Sequence, residues 1–244
     1  MRAMILAAGR GERMRPLTDA HPKPLLEVGG RPLVEWHLQS LARAGFRDIV
    51  INLSWLGSQI SAHLGDGARF GVSIRYSEEG PEPLETGGGI FRALRWLGPD
   101  PFVVVNGDVW TDYRYERLPR LDAAALAALV LVPNPPQHPR GDFRVQARAA
   151  AAVAGEARWD ILGGDADDSA PPAVPRRTFS GIGVYRPEFF AGCSDGRFPL
   201  LPLLRRAAAS CQLRAELYDG EWHDIGTPER LRALDERLAG GAIG

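Results

Sequence analysis

The order of apolar runs along the first 110 residues is what most restricts this chain. Ala3-Met4-Ile5-Leu6-Ala7-Ala8 and Phe102-Val103-Val104-Val105 are continuously apolar. Each reads as a strand covered on both faces, since a half-wet strand would alternate. Between them lie Ile49-Val50-Ile51-Asn52-Leu53, a second strand, and Val72-Ser73-Ile74-Arg75-Tyr76, which alternates and reads as a third. The intervals are helical. Residues 32–44 place Leu33, Val34, Trp36, Leu38 and Leu41 at helical spacing before Gly45, residues 59–64 form a short helix closed by Gly65, and residues 88–97 a helix that opens on glycines. This β-α-β-α order predicts an α/β, Rossmann-like three-layer fold around a mostly parallel mixed sheet.

Further along, residues 127–132, 178–185 and 213–218 read as strands, and 201–209 and 228–238 as helices. Residues 133–139 are a proline-rich loop, after which Arg140-Gly141-Asp142-Phe143 opens another strand. Residues 147–175 are rich in Ala, Gly and Asp, with little periodicity, and are expected to be a poorly packed excursion. No stretch has the composition of an interdomain linker, so a single domain spanning residues 1–244 is expected.

The totals narrow the partners. A formal net charge of -1 gives no general reason to expect nucleic acid or an anionic membrane as a partner. The longest aliphatic stretch, residues 123–132, is too short to span a bilayer, and no secretory leader is visible. The two cysteines, Cys193 and Cys211, have no metal-ligand spacing and read as buried or half-buried thiols in a reducing compartment. A cytoplasmic location is the expectation.

The chemistry concentrates after the first strand. Gly9-Arg10-Gly11-Glu12-Arg13-Met14-Arg15-Pro16 is a glycine- and arginine-rich loop, able to expose backbone N–H groups to phosphate oxygens or to stand as a surface turn with solvated arginines. A dinucleotide-binding turn would place glycine where Met14 stands, and a Walker loop would end in Gly-Lys-Ser or Gly-Lys-Thr, which does not occur. Lys23 follows shortly after. It is the one lysine among 29 basic residues. Codon bias towards arginine accounts for the rarity, whereas a tight phosphate site that distinguishes an ammonium from a planar guanidinium would account for the survivor. Asn106-Gly107-Asp108 ends the fourth strand and reads either as an Asx turn or as a carboxylate offered to Mg²⁺ at the ligand-binding edge of the sheet.

Taken together, Gly9-x-Gly11-x-Arg13-Met14-x-Pro16-Leu17-Thr18, Lys23-Pro24-Leu25 and Val28 resemble the signature of the sugar-1-phosphate nucleotidyltransferases. The resemblance implies a nucleotidyltransferase fold that joins a nucleoside triphosphate to a sugar 1-phosphate with release of pyrophosphate. It implies Arg13 and Lys23 as the catalytic cations, on the triphosphate and on the reacting phosphate. Ala8, Gly9, Gly11, Glu12 and Gly87 join them in nucleotide binding. It further implies Asn106 and Asp142 against the sugar phosphate and the sugar, and Mg²⁺ held by Asp108 and by Asp224 of the string Asp224-Ile225-Gly226-Thr227-Pro228. Thr227 and Pro228 also suit the first turn of a helix, and His223 is expected to be structural.

Three departures from the family stand out. Glu12 replaces a common Thr, Glu85 replaces a common Gly, and the Glu-Lys pair that usually grips the sugar is missing. Leu84-Glu85-Thr86-Gly87-Gly88-Gly89, Val105-Asn106-Gly107-Asp108-Val109-Trp110-Thr111-Asp112 and Gly141-Asp142-Phe143 resemble the branch that acts on UTP and N-acetylmuramic acid 1-phosphate in peptidoglycan recycling. GTP with mannose 1-phosphate is the nearest alternative. A non-catalytic nucleotide-sensing subunit of the same fold is another, and a nucleotide-dependent reductase is a third that lacks its glycines.

Overall fold

The computed structural model describes residues 1–148, 159–162 and 176–240. The first half holds β1 (Ala3–Leu6), the short helix α1 (Leu17–Ala20), the small hairpin of β2 (Glu27–Val28) and β3 (Arg31–Pro32), α2 (Leu33–Arg43) and β4 (Asp48–Leu53). It continues through α3 (Gly57–Leu64), β5 (Ser73–Glu78), α4 (Glu85–Leu97) and β6 (Phe102–Asn106). Then come β7 (Val109–Thr111), β8 (Ala127–Val132), β9 (Phe143–Ala147), β10 (Trp159–Ile161) and β11 (Arg176–Tyr185). The chain closes through α5 (Leu201–Ala209), β12 (Leu213–Leu217), β13 (Trp222–Asp224) and α6 (Pro228–Gly240).

Among the described residues the main sheet has nine strands in the order β5-β4-β1-β6-β11-β8-β12-β10-β9. β5, β4, β1 and β6 are mutually parallel, as the first 110 residues require. Past β6 the pairing is mostly antiparallel, since β11 runs against both β6 and β8, and only β12 with β8 is parallel.

The continuous apolar runs are explained by burial on two faces. Met4, Val50, Phe102 and Val104 pack on one face with Ile90 and Ala93 of α4 and Leu203 and Leu204 of α5. Ala3, Ile5, Ile49, Ile51, Val103 and Val105 pack on the other with Val34, Leu38 and Leu41 of α2 and Ile60 and Leu64 of α3. A smaller cluster of Met14, Val28, Leu33, Trp110, Ile225 and Leu234 seats α6 against β7 and the N-terminal hairpin.

Several boundaries differ from expectation. The stretch 147–175 is not wholly outside the sheet, because Trp159–Ile161 pairs with both β9 and β12; the rest of it lies almost entirely outside the described residues. α4 begins at Glu85, so its glycines fall inside the first turns rather than before them. β7 and β13, each three residues long, carry too few residues to show a period and form a separate two-stranded ladder. Cys193 is half-buried as expected, but Cys211 is exposed in the turn after α5.

The end of β6 is fixed by close backbone approach. A Cβ at Gly107 would stand 2.6 Å from the carbonyl oxygen of Leu6, the group that accepts the Gly107 N–H at 2.9 Å. Gly107→Ala therefore has to push β6 away from β1, and overpacking of this kind costs about 1–3 kcal/mol. Urea unfolding of this variant should show a loss in that range; an unchanged midpoint would contradict the packing described.

Candidate active site

The parallel strands β1, β4, β5 and β6 end on one edge, and a cleft of about 460 Å³ opens there. The loop after β1 supplies Ala8, Gly9, Gly11, Glu12 and Arg13 to its lining, and Lys23, Asn106 and Asp108 join them. A second compartment of about 280 Å³ shares Asn106 and Asp108 and adds Asp142 and Asp224. The structure thus brings together every site residue expected from the sequence except Gly87, which does not line either compartment.

Gly87 is absent from the lining for a packing reason. A Cβ there would lie 2.5 Å from the Phe198 ring, one at Gly88 2.1 Å from the Gly196 carbonyl oxygen, and one at Gly89 2.4 Å from Glu79 Oε1. The room left by the three glycines is taken by the chain itself. Glu85 and Thr86 line the cleft in their place. Glu85, at φ +60°, pairs with Arg197 at 3.0 Å.

The lone lysine is almost fully buried, at 6% exposure. Its Nζ donates to Asp108 Oδ2 at 2.6 Å, while the Asp108 side chain remains 40% exposed. Asp224 has the same arrangement with arginine, Arg230 Nη1 donating to its Oδ2 at 2.6 Å. The β7–β13 ladder sets Asp224 opposite Val109, and the Ile225 N–H donates to the Asp108 carbonyl at 3.1 Å. The two carboxylates therefore come from adjacent strands, each partnered by a base. Thr227 caps α6 through the Arg230 N–H, at a long 3.4 Å.

Three partners of the site were not evident in the sequence. Asn52, at the end of β4, accepts the Ala7 N–H at 2.7 Å and donates to Glu79 Oε1 at 2.6 Å, and Glu79 Oε2 accepts the Leu84 N–H at 2.7 Å. This buried chain ties the glycine-rich loop to the entry of α4, and both side chains line the cleft. The polar Asn at the end of an apolar strand was the available signal. Arg10 lies over Trp55, 4.5 Å from the ring centroid, and the Trp55 Nε1–H donates to the Thr18 carbonyl. Arg13 has no acidic partner among the described residues.

Behind Asp108, His37 of α2 fixes β7. Its Nε2 lies 2.8 Å from the Val109 carbonyl oxygen and its Nδ1 3.0 Å from the Tyr115 hydroxyl. A carbonyl can only accept, so Nε2 carries the proton and Nδ1 accepts from Tyr115. Burial lowers the His37 pKa from 6.5 to about 4, outweighing the Val109 hydrogen bond and the charge of Asp108. His223 is also lowered, first by burial and then by Arg237, and its ring tilts against Trp110 with centroids 5.8 Å apart.

Residues 2–145 match the family described as Nucleotidyl transferase. The N-acetylmuramate alpha-1-phosphate uridylyltransferase of Neisseria meningitidis serogroup B is 46% identical over 245 residues, covering 98% of this chain and 99% of that one. The protein of the same name from Caulobacter vibrioides is 34% identical over 97% of this chain and 96% of its own. A crystal structure described as a putative glucose-1-phosphate thymidylyltransferase from Bacillus anthracis in complex with a sucrose has a TM-score of 0.74. It covers 100% of this chain and 97% of that chain at 20% identity, a likeness of fold alone.

The His37 geometry has a consequence for pH. The folded chain keeps His37 neutral down to about pH 4, whereas the unfolded chain takes up the proton from about 6.5. Stability is therefore whole above pH 6.5 and falls as the pH drops towards 4, by about 3 kcal/mol from this residue. Urea unfolding between pH 7 and 4.5 should show that decline, and His37→Gln should flatten it. An equally steep decline in the variant would show that His37 is not its source.

Proposed function

The chain belongs to the nucleotidyl transferase family, and on that premise we propose that it joins UTP to N-acetylmuramic acid 1-phosphate, giving UDP-N-acetylmuramic acid and pyrophosphate. The observation that carries the reading is the convergence of Arg13, Lys23 and Asp108 on one cleft, with Asp224 one ladder rung away. The near full-length similarity to the neisserial and Caulobacter proteins supports UTP and this sugar over GTP and mannose 1-phosphate. The retained cations and carboxylates favour an enzyme over a sensing subunit. We place the reaction in the cytoplasm, in peptidoglycan recycling. No described helix is long and apolar enough to cross a membrane.

In this reading an oxygen of the sugar 1-phosphate attacks the α-phosphorus of UTP. The new P–O bond forms as the bond from the α-phosphorus to the bridging oxygen breaks, and pyrophosphate leaves with that electron pair. No covalent intermediate with the protein is required, so the chain's contribution is positioning and charge. Backbone groups of Ala8, Gly9 and Gly11, with Glu12 beside them, frame the nucleotide; Arg13 binds the triphosphate. Asn106, at the end of β6 where the two compartments meet, is assigned to the sugar phosphate. Lys23 neutralises the α-phosphate, where a compact ammonium on a buried stem gains strength as charge builds in the transition state.

The donor set suits Mg²⁺. Asp108 and Asp224 offer two hard carboxylates, and no cluster of three or more acidic, His or Cys ligands occurs among the described residues. Mg²⁺ commonly takes one or two carboxylates and completes its shell with water and substrate phosphate. Asp108 and Asp224 would hold the ion, which when bound supplies charge neutralisation to phosphate oxygens. Lys23 and Arg230 already neutralise the same carboxylates in the protein alone.

Pyrophosphate release over a matrix of UTP, GTP, TTP and ATP with N-acetylmuramic acid, N-acetylglucosamine, glucose and mannose 1-phosphates tests the assignment. Highest kcat/KM is expected for UTP with N-acetylmuramic acid 1-phosphate; a maximum at GTP with mannose 1-phosphate would reverse it. Lys23→Arg keeps the charge and loses the shape, and should lower kcat about 100- to 1000-fold while circular dichroism shows the fold retained. Asp108→Asn and Asp224→Asn should each lose activity that excess Mg²⁺ restores only in part. Full turnover in the presence of chelator would remove the metal from the reaction.

A further inference from the structure

The acidic sugar of the proposed reaction poses a charge problem that the sugar-side compartment must solve. N-acetylmuramic acid is N-acetylglucosamine with a lactyl ether on O3, and the lactyl group ends in a carboxylate. Three carboxylates, Asp108, Asp142 and Asp224, already line the compartment. The family's Glu-Lys grip cannot supply a cation, because the only lysine is Lys23, held on Asp108. Among the described residues lining this compartment, one side chain can carry positive charge, and that is His138.

His138 is built into its place. Its Nε2–H donates to Asp142 Oδ1 at 2.9 Å, and Asp142 Oδ2 accepts the Phe179 N–H at 2.7 Å. Each oxygen of Asp142 thus already accepts one hydrogen bond from the protein, which leaves one lone pair on each for a ligand. Its geometry is that of an orienting group, fastened to β11 on one side and aiming an imidazole on the other. The loop between β8 and β9 is tied down as well. Asn134 donates to the carbonyls of Pro139 and Arg176 and accepts from Thr178, and Arg176 donates to the carbonyls of Gly141 and Asp142. The His138 side chain nevertheless stays 43% exposed, so it is held by its neighbours and still open to a ligand.

We propose that His138 is the specificity residue for the sugar, its imidazolium pairing with the lactyl carboxylate while Asp142 holds the ring from the opposite nitrogen. This rests on the reading of N-acetylmuramic acid 1-phosphate as substrate. With Nε2–H committed to Asp142, Nδ1–H is the donor left for the ligand. Asp142 acts as a positioning residue. A neutral sugar lacks the carboxylate and gains nothing from this contact.

The experiment compares N-acetylmuramic acid 1-phosphate with N-acetylglucosamine 1-phosphate, which differ by the lactyl group, at saturating UTP and Mg²⁺. The quantity read is the ratio of their kcat/KM values in the wild type, His138→Gln and Asp142→Asn. A charge-assisted hydrogen bond is worth about 10- to 100-fold, so His138→Gln should lower the ratio by that factor, mainly through KM for the acidic sugar. Asp142→Asn should lower it in the same direction, by less. A purely structural role would weaken both substrates alike and leave the ratio unmoved, and that result overturns the proposal. A wild type that uses N-acetylmuramic acid 1-phosphate alongside an unselective His138→Gln effect removes His138 alone. A wild type that does not use this sugar removes the substrate reading and this assignment with it.

Discussion

Three parallel strands that are covered on both faces, β1, β4 and β6, leave one outlet for polar chemistry, the edge where they end. β1, β4 and β6 bury alternate side chains on α4 and α5 or on α2 and α3, so a charge placed mid-strand would be stranded without water or partner. The groups that bear chemistry are accordingly found at the ends of these strands and of the half-covered edge strand β5. They are the loop after Leu6, Asn52, Glu79, and Asn106 with Asp108. The ladder between β1 and β6 is tight enough that Gly107 lies against the Leu6 carbonyl, which sets the approach of the glycine-rich loop to Asp108.

On this edge the polar side chains are arranged in pairs and chains. Lys23 with Asp108 and Arg230 with Asp224 put a base on each carboxylate, and Asn52 with Glu79 satisfies two backbone N–H groups that the turns would otherwise leave open. Removing one member of the buried Asn52–Glu79 pair leaves its partner desolvated and short of a hydrogen bond, which costs more than the contact itself contributes. The site is therefore kept in shape by the same hydrogen bonds that satisfy its polar groups. His37 extends this outward by joining α2 to β7 through a carbonyl that accepts and a hydroxyl that donates.

The sequence revealed much of the first half because local pattern and tertiary role coincide there. A run such as Phe102-Val103-Val104-Val105 is legible as a doubly covered strand, and the glycine-arginine loop that follows β1 is legible by position. The second half hid more. β7 and β13 are too short to show a period, and their pairing depends on residues more than 100 positions apart. The family resemblance implies Gly87 in nucleotide binding, yet the space beside the glycines after Thr86 is filled by Phe198, Gly196 and Glu79, contacts that no local pattern encodes. Asp142 was legible as a candidate carboxylate for a sugar. That its two oxygens accept from His138 and from the Phe179 N–H depends on where the β8–β9 loop meets β11.

Lys23 gives the molecule an unusual chemical address. A typical protein of this size scatters amines over its surface, and amine-directed reagents report on all of them at once. Here the sequence holds a single lysine side chain, and it sits in the cleft at 6% exposure. Lysine labelled with an isotope during synthesis would thus report on one side chain of this sequence. That label sits against Asp108, where any change in the company that carboxylate keeps would register directly.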